Sequence, residues 1–179
     1  MTGRGALVDA LASSQRLGML GDRPIDEVVA HAGSFVTALA DVTGTVLDLG
    51  SGGGVPGLVI AEARPDLLVV LVDRRATRTD HLRRLVGRLG WGDRIEVVTA
   101  EVAALVGRRA PVDAAVARGF GPPLTTLAMA APLVRAGGLV VVSEPPDHDD
   151  RRWPAVDVAA RGLRARRSPD PRVACFDVC

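Results

Sequence analysis

The chain has 179 residues, 47% of them hydrophobic, and a formal net charge of +1. This length fits one domain that folds without disulfides or a structural metal, and the near-zero charge means that a nucleic-acid partner must be bound by a local cluster of arginines. All 22 basic residues are arginines, which excludes sites that need a lysine amine, such as a Walker A phosphate loop or a pyridoxal-phosphate Schiff base.

The first predicted element is a helix that precedes any strand. Apolar residues keep helical spacing from Ile25 to Leu39, and Pro24 stands where the first turn of a helix tolerates proline. We expect residues 1–44 to form a short N-terminal helical flank.

From Thr45 onward, short β-branched runs alternate with longer helical patterns, which is typical of a parallel sheet with helices on both faces. Between the second and third runs, Leu82, Leu85, Val86 and Leu89 have the spacing of an amphipathic helix, which Gly90 ends. The five predicted strands are residues 45–49, 67–72, 94–98, 112–116 and 139–143.

The last part of the chain predicts a loop and then a hairpin. Residues 144–150 are too polar and too rich in proline for regular structure. Residues 162–167 and 172–178 flank a Ser-Pro-Asp-Pro turn, and this pattern predicts two antiparallel strands at one edge of the sheet. The predicted fold class is therefore α/β, with a seven-stranded, mostly parallel sheet formed by residues 45–179.

A glycine-rich segment directly follows the first predicted strand, with the sequence Asp48-Leu49-Gly50-Ser51-Gly52-Gly53-Gly54-Val55-Pro56-Gly57. A dinucleotide-binding fingerprint needs its third glycine five residues after the first, where Val55 stands. Asp48 instead favours a cationic ligand such as S-adenosylmethionine, because a carboxylate attracts its sulfonium and ammonium groups and glycines allow close approach of the backbone. The alternative is an ordinary glycine-rich turn between a strand and a helix.

Three more candidates follow the next predicted strands. Asp73 comes about twenty residues after the first glycine, the separation at which an acid binds a ribose diol in such sheets; its alternative is a solvated loop acid. Glu101 is placed either to face an adenine or to complement a helix dipole. Arg118 is placed to line a cleft between cofactor and substrate, or is simply solvated.

Other chemistries are not favoured by the sequence. His31, His81 and His148 are scattered, and with two C-terminal cysteines they match no zinc spacing, so we expect no metal. Ser51 lacks the glycine two places before it that a nucleophile elbow needs. There is no signal-peptide pattern and no apolar run near the ~18 residues that span a bilayer, so we expect a cytoplasmic protein without membrane contact.

The segment from Val46 to Gly57 resembles the signature of the glucose-inhibited division protein B family, which methylates small-subunit (16S) ribosomal RNA at guanine N7. The resemblance implies a Rossmann-like class I methyltransferase with S-adenosylmethionine as cofactor and ribosomal RNA or the small ribosomal subunit as partner. Further matching segments, in the order of the family, are Arg64-Pro65-Asp66, Leu71-Val72-Asp73, Ala100-Glu101 and Ala117-Arg118-Gly119-Phe120.

The motif and the resemblance together give one expected site. Guanine N7 has a free lone pair and no proton to lose, so its methylation needs alignment more than a base. Arg118 is the expected catalytic residue, supported by His31 or Arg78 in positioning an anionic substrate. The resemblance implies that Gly50, Val55, Ala100, Glu101 and Arg118 touch the cofactor. The motif and the strand ends add the other expected cofactor-binding residues, which are Asp48, Gly52, Gly54 and Asp73.

The chain also departs from the family pattern. A lysine usual in the family is replaced by Thr77, the Lys-Gly after the fifth strand is replaced by Glu144-Pro145-Pro146, and the N-terminal pattern is shorter with only His31 retained. Two alternatives therefore stay open. One is a divergent relative that methylates a small molecule, and the other is a catalytically silent module that binds this cofactor or a nicotinamide dinucleotide.

Overall fold

The computed structural model describes residues 3–179, so the first two residues of the predicted helical flank lie outside it. In the described part, seven strands form one sheet in the order β3-β2-β1-β4-β5-β7-β6. The first five strands run parallel, and β7 is antiparallel to both β5 and β6. The strands are β1 (Thr45–Leu49), β2 (Leu68–Asp73), β3 (Ile95–Thr99), β4 (Val112–Ala117), β5 (Val134–Ser143), β6 (Leu163–Arg166) and β7 (Val173–Val178).

Helices cover both faces of this sheet, which confirms the predicted Rossmann-like class. Short 3-10 turns span Val102–Leu105, Ala131–Leu133 and Asp150–Arg152. The α-helices within residues 3–179 are α1 (Gly3–Arg16), α2 (Ile25–Ala38), α3 (Gly57–Ala63), α4 (Ala76–Leu89), α5 (Pro123–Ala130) and α6 (Ala155–Ala159).

The period of two along each strand divides the core into two layers. Val46 on β1 packs with α1 to α4 on one face, whereas its neighbour Leu47 packs with α5 and α6 on the other. Asp48 therefore projects toward the same face as Val46, where α3 begins. This placement puts a carboxylate inside a largely apolar layer.

The structure corrects two details of the predicted elements. β5 starts at Val134, five residues before the predicted start, because Val134 pairs with Val112 ahead of a register shift in which Gly137 takes a positive φ of 73°. Helix α1 lies within the predicted helical flank but was not predicted as a separate helix, although Leu7 and Leu11 on its buried face are fully enclosed by the core. The predicted closing hairpin is confirmed as β6 and β7.

A buried histidine connects α1 to α4. The His81 ring Nε2 lies 3.0 Å from Ser14 Oγ, and both side chains are excluded from solvent. Burial first, and then the nearby Arg84 and Arg88, lower the pKa of His81 below its ordinary value of 6.5. The imidazole is therefore neutral at pH 7 and joins the two helices through a neutral hydrogen bond.

This linkage predicts a pH-dependent contribution to stability. Because the pKa of His81 is lower in the folded than in the unfolded chain, the unfolded chain gains a proton first as pH falls below 6.5, and folding is disfavoured there. Relative to a His81→Gln variant, the wild-type free energy of unfolding should fall as the pH is lowered from about 7.5 to about 5.5, measured by urea denaturation. A His148→Gln variant, altered at an exposed histidine, should follow the wild type. If the difference in free energy of unfolding between the wild type and His81→Gln did not change with pH, His81 would not have a lowered pKa in the folded chain.

Candidate functional site

Two clefts open side by side at the carboxyl edge of the parallel strands, the edge at which open α/β sheets bind ligands. The first cleft has a volume of about 350 Å³ and lies between Gly50, Asp73 and Glu101. The second cleft has a volume of about 850 Å³ and lies between His31, Arg118 and Glu144. Gly119 and Phe120 line both clefts, so a ligand in one lies next to a ligand in the other.

Asp48 sets the shape of the glycine-rich loop from below. Its Oδ2 accepts a hydrogen bond of 3.1 Å from the backbone N–H of Gly57, the first residue of α3. A Cβ added at Gly57 would come within 2.6 Å of that same Oδ2 and would collide with Leu71. Glycine is therefore required at position 57 for α3 to start directly over the end of β1.

The Asp48 carboxyl group has an unusual protonation equilibrium. It is almost completely buried, and Oδ1 has no hydrogen-bond partner in the described part of the chain. Burial raises the pKa of Asp48 to about 7, although the Gly57 N–H and the nearby Arg118 act in the opposite direction. Near neutral pH the group is therefore divided between a neutral acid and a carboxylate.

Gly50 leaves space at the junction of the two clefts. Its φ of 69° lies in the left-handed region, and an added Cβ would approach the Phe120 ring to 2.8 Å. The ring thus lies against the bare backbone of the loop. Phe120 forms part of the wall between the clefts, a role that its place in the matching Ala-Arg-Gly-Phe segment did not by itself indicate.

Asp73 at the end of β2 is tied to the loop by protein donors. Its Oδ2 accepts from Gly52 N–H at 3.0 Å and from Arg78 at 3.3 Å, while Oδ1 accepts from Arg75 N–H at 2.9 Å. Only 4% of the residue is exposed, yet it lines the first cleft. A ligand hydroxyl that bound this carboxylate would compete with Arg78, which is the one partner on a movable side chain.

The outer wall of the first cleft carries more arginine than acid. Arg74, Arg75 and Arg78 line it together with Asp73 and Glu101. The exposed Glu101 carboxylate is 3.4 Å from Arg74, and Arg78 pairs with Asp73, so both acids are matched by arginines. Sequence reasoning did not predict Arg74 or Arg75 at this site, although both directly follow Asp73 in the chain.

The second cleft is strongly basic. Arg118, half-buried, forms no hydrogen bond or ion pair with any residue among 3–179, and burial lowers the pKa of its guanidinium. Burial and the nearby Arg118 also lower the pKa of His31, which keeps that imidazole neutral at pH 7. Arg23 and Arg172 complete this wall. An unpaired, partly desolvated guanidinium of this kind is suited to bind an anion.

One buried acid lies in the second cleft among these cations. Glu144 accepts a hydrogen bond from Trp153 Nε1, and its Oε2 lies 2.7 Å from Arg152 Nε. Glu144 Oε2 and Arg152 Nε form an ion pair without hydrogen-bond geometry. Neither atom therefore has a hydrogen-bond partner among the described residues. Glu144 thereby fastens the segment after β5, which was predicted as a loop, onto the end of the strand.

The structure therefore brings the predicted site residues together in three positions. Gly50, Asp73, Ala100 and Glu101 line the first cleft, and Arg118 lines the second. The remaining four, Asp48, Gly52, Gly54 and Val55, are buried beneath the clefts and line neither of them. Of the two supporting residues, His31 lines the second cleft and Arg78 the first.

Two other kinds of site are absent from the described residues. No helix within 3–179 is long and apolar enough to cross a membrane. In the same range, no three His, Cys, Asp or Glu side chains gather in the way that ligands around a metal ion do.

The chain is similar to proteins named for methyl transfer to ribosomal RNA. The model of the family described as rRNA small subunit methyltransferase G matches residues 11–145. A ribosomal RNA small subunit methyltransferase G of Nocardioides sp. is 45% identical over 98 residues, which cover 54% of this chain and 38% of that protein. The protein of the same name from Acidothermus cellulolyticus is 34% identical over 165 residues, covering 90% and 70% of the two chains. The chain spans about half the length of the first curated relatives that it matches.

Solved structures show the same fold at low sequence identity. The S-adenosylmethionine-dependent methyltransferase SibL, in its apo form, superposes with a TM-score of 0.67 over 95% of this chain and 69% of its own, at 16% identity. This similarity concerns the fold alone.

The buried carboxyl group of Asp48 predicts a measurable effect on stability. Its pKa is raised in the folded chain, so ionisation costs stability as pH rises from about 4 to about 7, and that loss is complete above pH 7. An Asp48→Asn variant cannot ionise and should be more stable than the wild type at pH 8, by between about 1 and 4 kcal/mol in urea denaturation. The difference should shrink toward pH 5. An Asp93→Asn variant, altered at an exposed acid, should show no such trend; an equal Asp48→Asn effect at both pH values would contradict the raised pKa.

Proposed function

The chain belongs to the rRNA small subunit methyltransferase G family, and from this membership we propose that it transfers a methyl group from S-adenosylmethionine to guanine N7 of small-subunit ribosomal RNA. The observation that carries the proposal is the meeting of two clefts at Gly119 and Phe120, one of nucleoside size beside an acid and the other lined by unpaired arginine. A group transfer needs two such adjoining sites, because donor and acceptor must approach each other closely.

The residues of the first cleft fit the proposed cofactor. Its volume of about 350 Å³ lies within the range of small-molecule sites, and the bare backbone of Gly50 gives a ligand close access at the strand end. Asp73 provides the carboxylate for a ribose diol, and Ala100 and Glu101 form the side of the cleft where an adenine would lie. The cofactor supplies a methyl group on a positively charged sulfur, which is an electrophile without help from a metal.

The role of Asp48 in this proposal is to organise the loop. It holds the start of α3 through Gly57, so the loop glycines keep their conformation over the end of β1. Its residual negative charge lies beneath the glycine-rich loop and would favour a cationic ligand bound above that loop. We therefore retain Asp48, Gly52, Gly54 and Val55 as supports of the cofactor site behind its surface.

The second cleft would orient the acceptor. Guanine N7 attacks through its own lone pair and gives up no proton at that atom, so the neutral His31 need not act as a base. Arg118 and Arg23 are placed to hold a phosphate of the substrate, and Phe120 limits where the base can lie. The chain thus acts by alignment. We propose residues 45–179 as the catalytic domain, residues 1–44 as its flank, and the cytoplasm, where ribosomal RNA is found, as its location.

One observation favours a second candidate function. The three arginines at the first cleft, of which Arg75 has no side-chain partner within residues 3–179, would also suit the phosphates of a nicotinamide dinucleotide. Val55 stands where the dinucleotide fingerprint needs its third glycine, which weighs against that ligand. Thermal denaturation with each ligand separates the two: the proposal expects stabilisation by S-adenosylmethionine or S-adenosylhomocysteine and none by the dinucleotides.

A matched pair of variants tests the cofactor site. Asp73→Asn removes the charge that would bind the ribose diol, and it should weaken S-adenosylhomocysteine binding about tenfold or more by calorimetry. Arg78→Gln removes the side chain that competes for Asp73 and should change the dissociation constant by less than about threefold, on the same scale. Equal affinities for the wild type and Asp73→Asn would remove Asp73 from the site.

Methyl transfer itself tests the acceptor. Tritiated methyl groups should appear in small ribosomal subunits or their RNA rather than in a pool of small metabolites, and they should map to guanine N7. Arg118→Gln should reduce the transfer by about tenfold or more, because a charge-assisted hydrogen bond to phosphate is lost. Arg108→Gln, at an exposed arginine distant from both clefts, serves as the control and should transfer at the wild-type rate. Labelling of metabolites alone would favour the small-molecule alternative.

A further inference from the structure

A third concavity lies on the side of the molecule away from both clefts. It lies between α1 and the end of α4 and has a volume of about 670 Å³. Its lining includes Asp9, Arg16, Arg88 and Trp91. We call it the α1–α4 groove. Nothing in the proposed chemistry uses it, because α4 starts beside Asp73 and reaches the groove only at its other end.

Two arginines, Arg16 and Arg88, line this groove, and Arg84 lies one helical turn before Arg88 on α4. Arg84 and Arg88 come three and seven residues after His81 and therefore share its stripe of the α4 surface. His81 contacts Ser14 on α1, and Arg16 follows two residues later, so the α4 stripe and the end of α1 are neighbours. The lowering of the His81 pKa by Arg84 and Arg88 agrees with this closeness.

These arginines are unpaired, in contrast to many others on the molecule. Within residues 3–179, no acid lies within ion-pair distance of Arg16, Arg84 or Arg88, and all three are exposed. Arg83 and Arg109, by comparison, pair with Asp80 and Glu96. Asp9 is the one acid among the residues that line the groove, so the local charge is positive on a chain of nearly zero net charge.

An aromatic ring adds a second kind of contact. Trp91 lines the groove, and the guanidinium of Arg94 stacks over its ring at 4.8 Å from the centroid. A stacked arginine and tryptophan beside unpaired arginines combine charge for phosphates with a flat apolar surface for bases. The Trp91 ring is partly buried against the core, which fixes it in place next to these arginines.

We propose that the α1–α4 groove is a second contact for the RNA substrate, where it binds the phosphate backbone outside the target nucleotide. This inference rests on the proposed function. Helix α4 has 14 residues, so its two ends are ~20 Å apart at ~1.5 Å per residue. An RNA strand that reached from the edge with the two clefts to the groove would therefore be several nucleotides long. The groove gives affinity for structured RNA and none for a single nucleotide.

The salt dependence of RNA binding tests the proposal. In filter binding to transcribed small-subunit ribosomal RNA, between about 50 and 300 mM KCl, each phosphate contact contributes roughly 0.7 to 0.9 to the slope of log affinity against log salt. The double variant Arg84→Gln, Arg88→Gln should lower this slope by roughly 1.5, and adding Arg16→Gln should lower it further. A matched double variant, Arg108→Gln and Arg167→Gln, removes two exposed arginines elsewhere and should keep the wild-type slope.

Three outcomes would overturn the inference. The first is a salt slope in the groove variants equal to that of the wild type, and the second is an equal lowering of the slope in the control variant. The third is a change of oligomeric state, seen by light scattering, that accounts for the loss of RNA binding. A circular dichroism melt of each variant at pH 7 identifies a folding defect; if one appears, Arg84→Lys, Arg88→Lys should restore the wild-type slope because it keeps both charges.

Failure of this inference can be distinguished from failure of the proposed function. If the wild type methylates ribosomal RNA and the groove variants bind RNA like the wild type, the groove is not a contact and the function stands. If the slope falls as expected but the wild type transfers no methyl group, the groove stands and the proposed function fails. The groove inference and the proposed function are both supported if the groove variants show two results together. Their salt slope must be lower than that of the wild type. Their methyl-transfer rate must be reduced on the whole subunit RNA and unchanged on a short RNA around the target guanine.

Discussion

The contact between the Asp48 carboxylate and the Gly57 N–H is the constraint on which the site depends. It joins the end of β1 to the start of α3, and it does so inside the apolar layer of the core. An unneutralised carboxylate in such a layer is costly, which is why its pKa is raised to about 7. The loop that this contact anchors also contains Gly50, against which the Phe120 ring lies, and Gly52, which donates to Asp73.

The fold was predictable because its signals are local. Five β-branched runs separated by helical patterns indicate a parallel sheet, and the Ser-Pro-Asp-Pro turn indicates the closing hairpin. Among the features that were not predicted individually, two have a clear physical reason. Helix α1 has a weak pattern of leucine, alanine and serine on its buried face, so only its packing against α3 and α4 makes it evident. The start of β5 depends on a register shift opposite Val112, which no periodicity reveals.

The position of the candidate site in the fold was predictable from the sequence, whereas many of the side chains that line it were not. Strand ends placed Asp73, Glu101 and Arg118 correctly at the carboxyl edge, because parallel strands bring their ends together. The alternation of β1 did contain the signal that Asp48 faces α3 rather than the cleft, since Val46 two residues earlier is a core residue. The basic character of both clefts depends on Arg75, Arg23 and Arg172, whose convergence is a property of the folded chain. The similarity to a ribosomal RNA methyltransferase family agrees with that basic character.

The charged outer strands of the sheet have a consequence for behaviour at high concentration. On β6, Arg164 and Arg166 flank Asp177 of the neighbouring strand, and at the opposite margin Glu96 on β3 binds Arg109. An open strand margin is a template on which another chain can pair, and charged side chains there discourage it. The charged side chains therefore disfavour fibril growth from both edges of the sheet. This matters most during folding after synthesis, because parallel strands pair slowly and their edges stay open for longer.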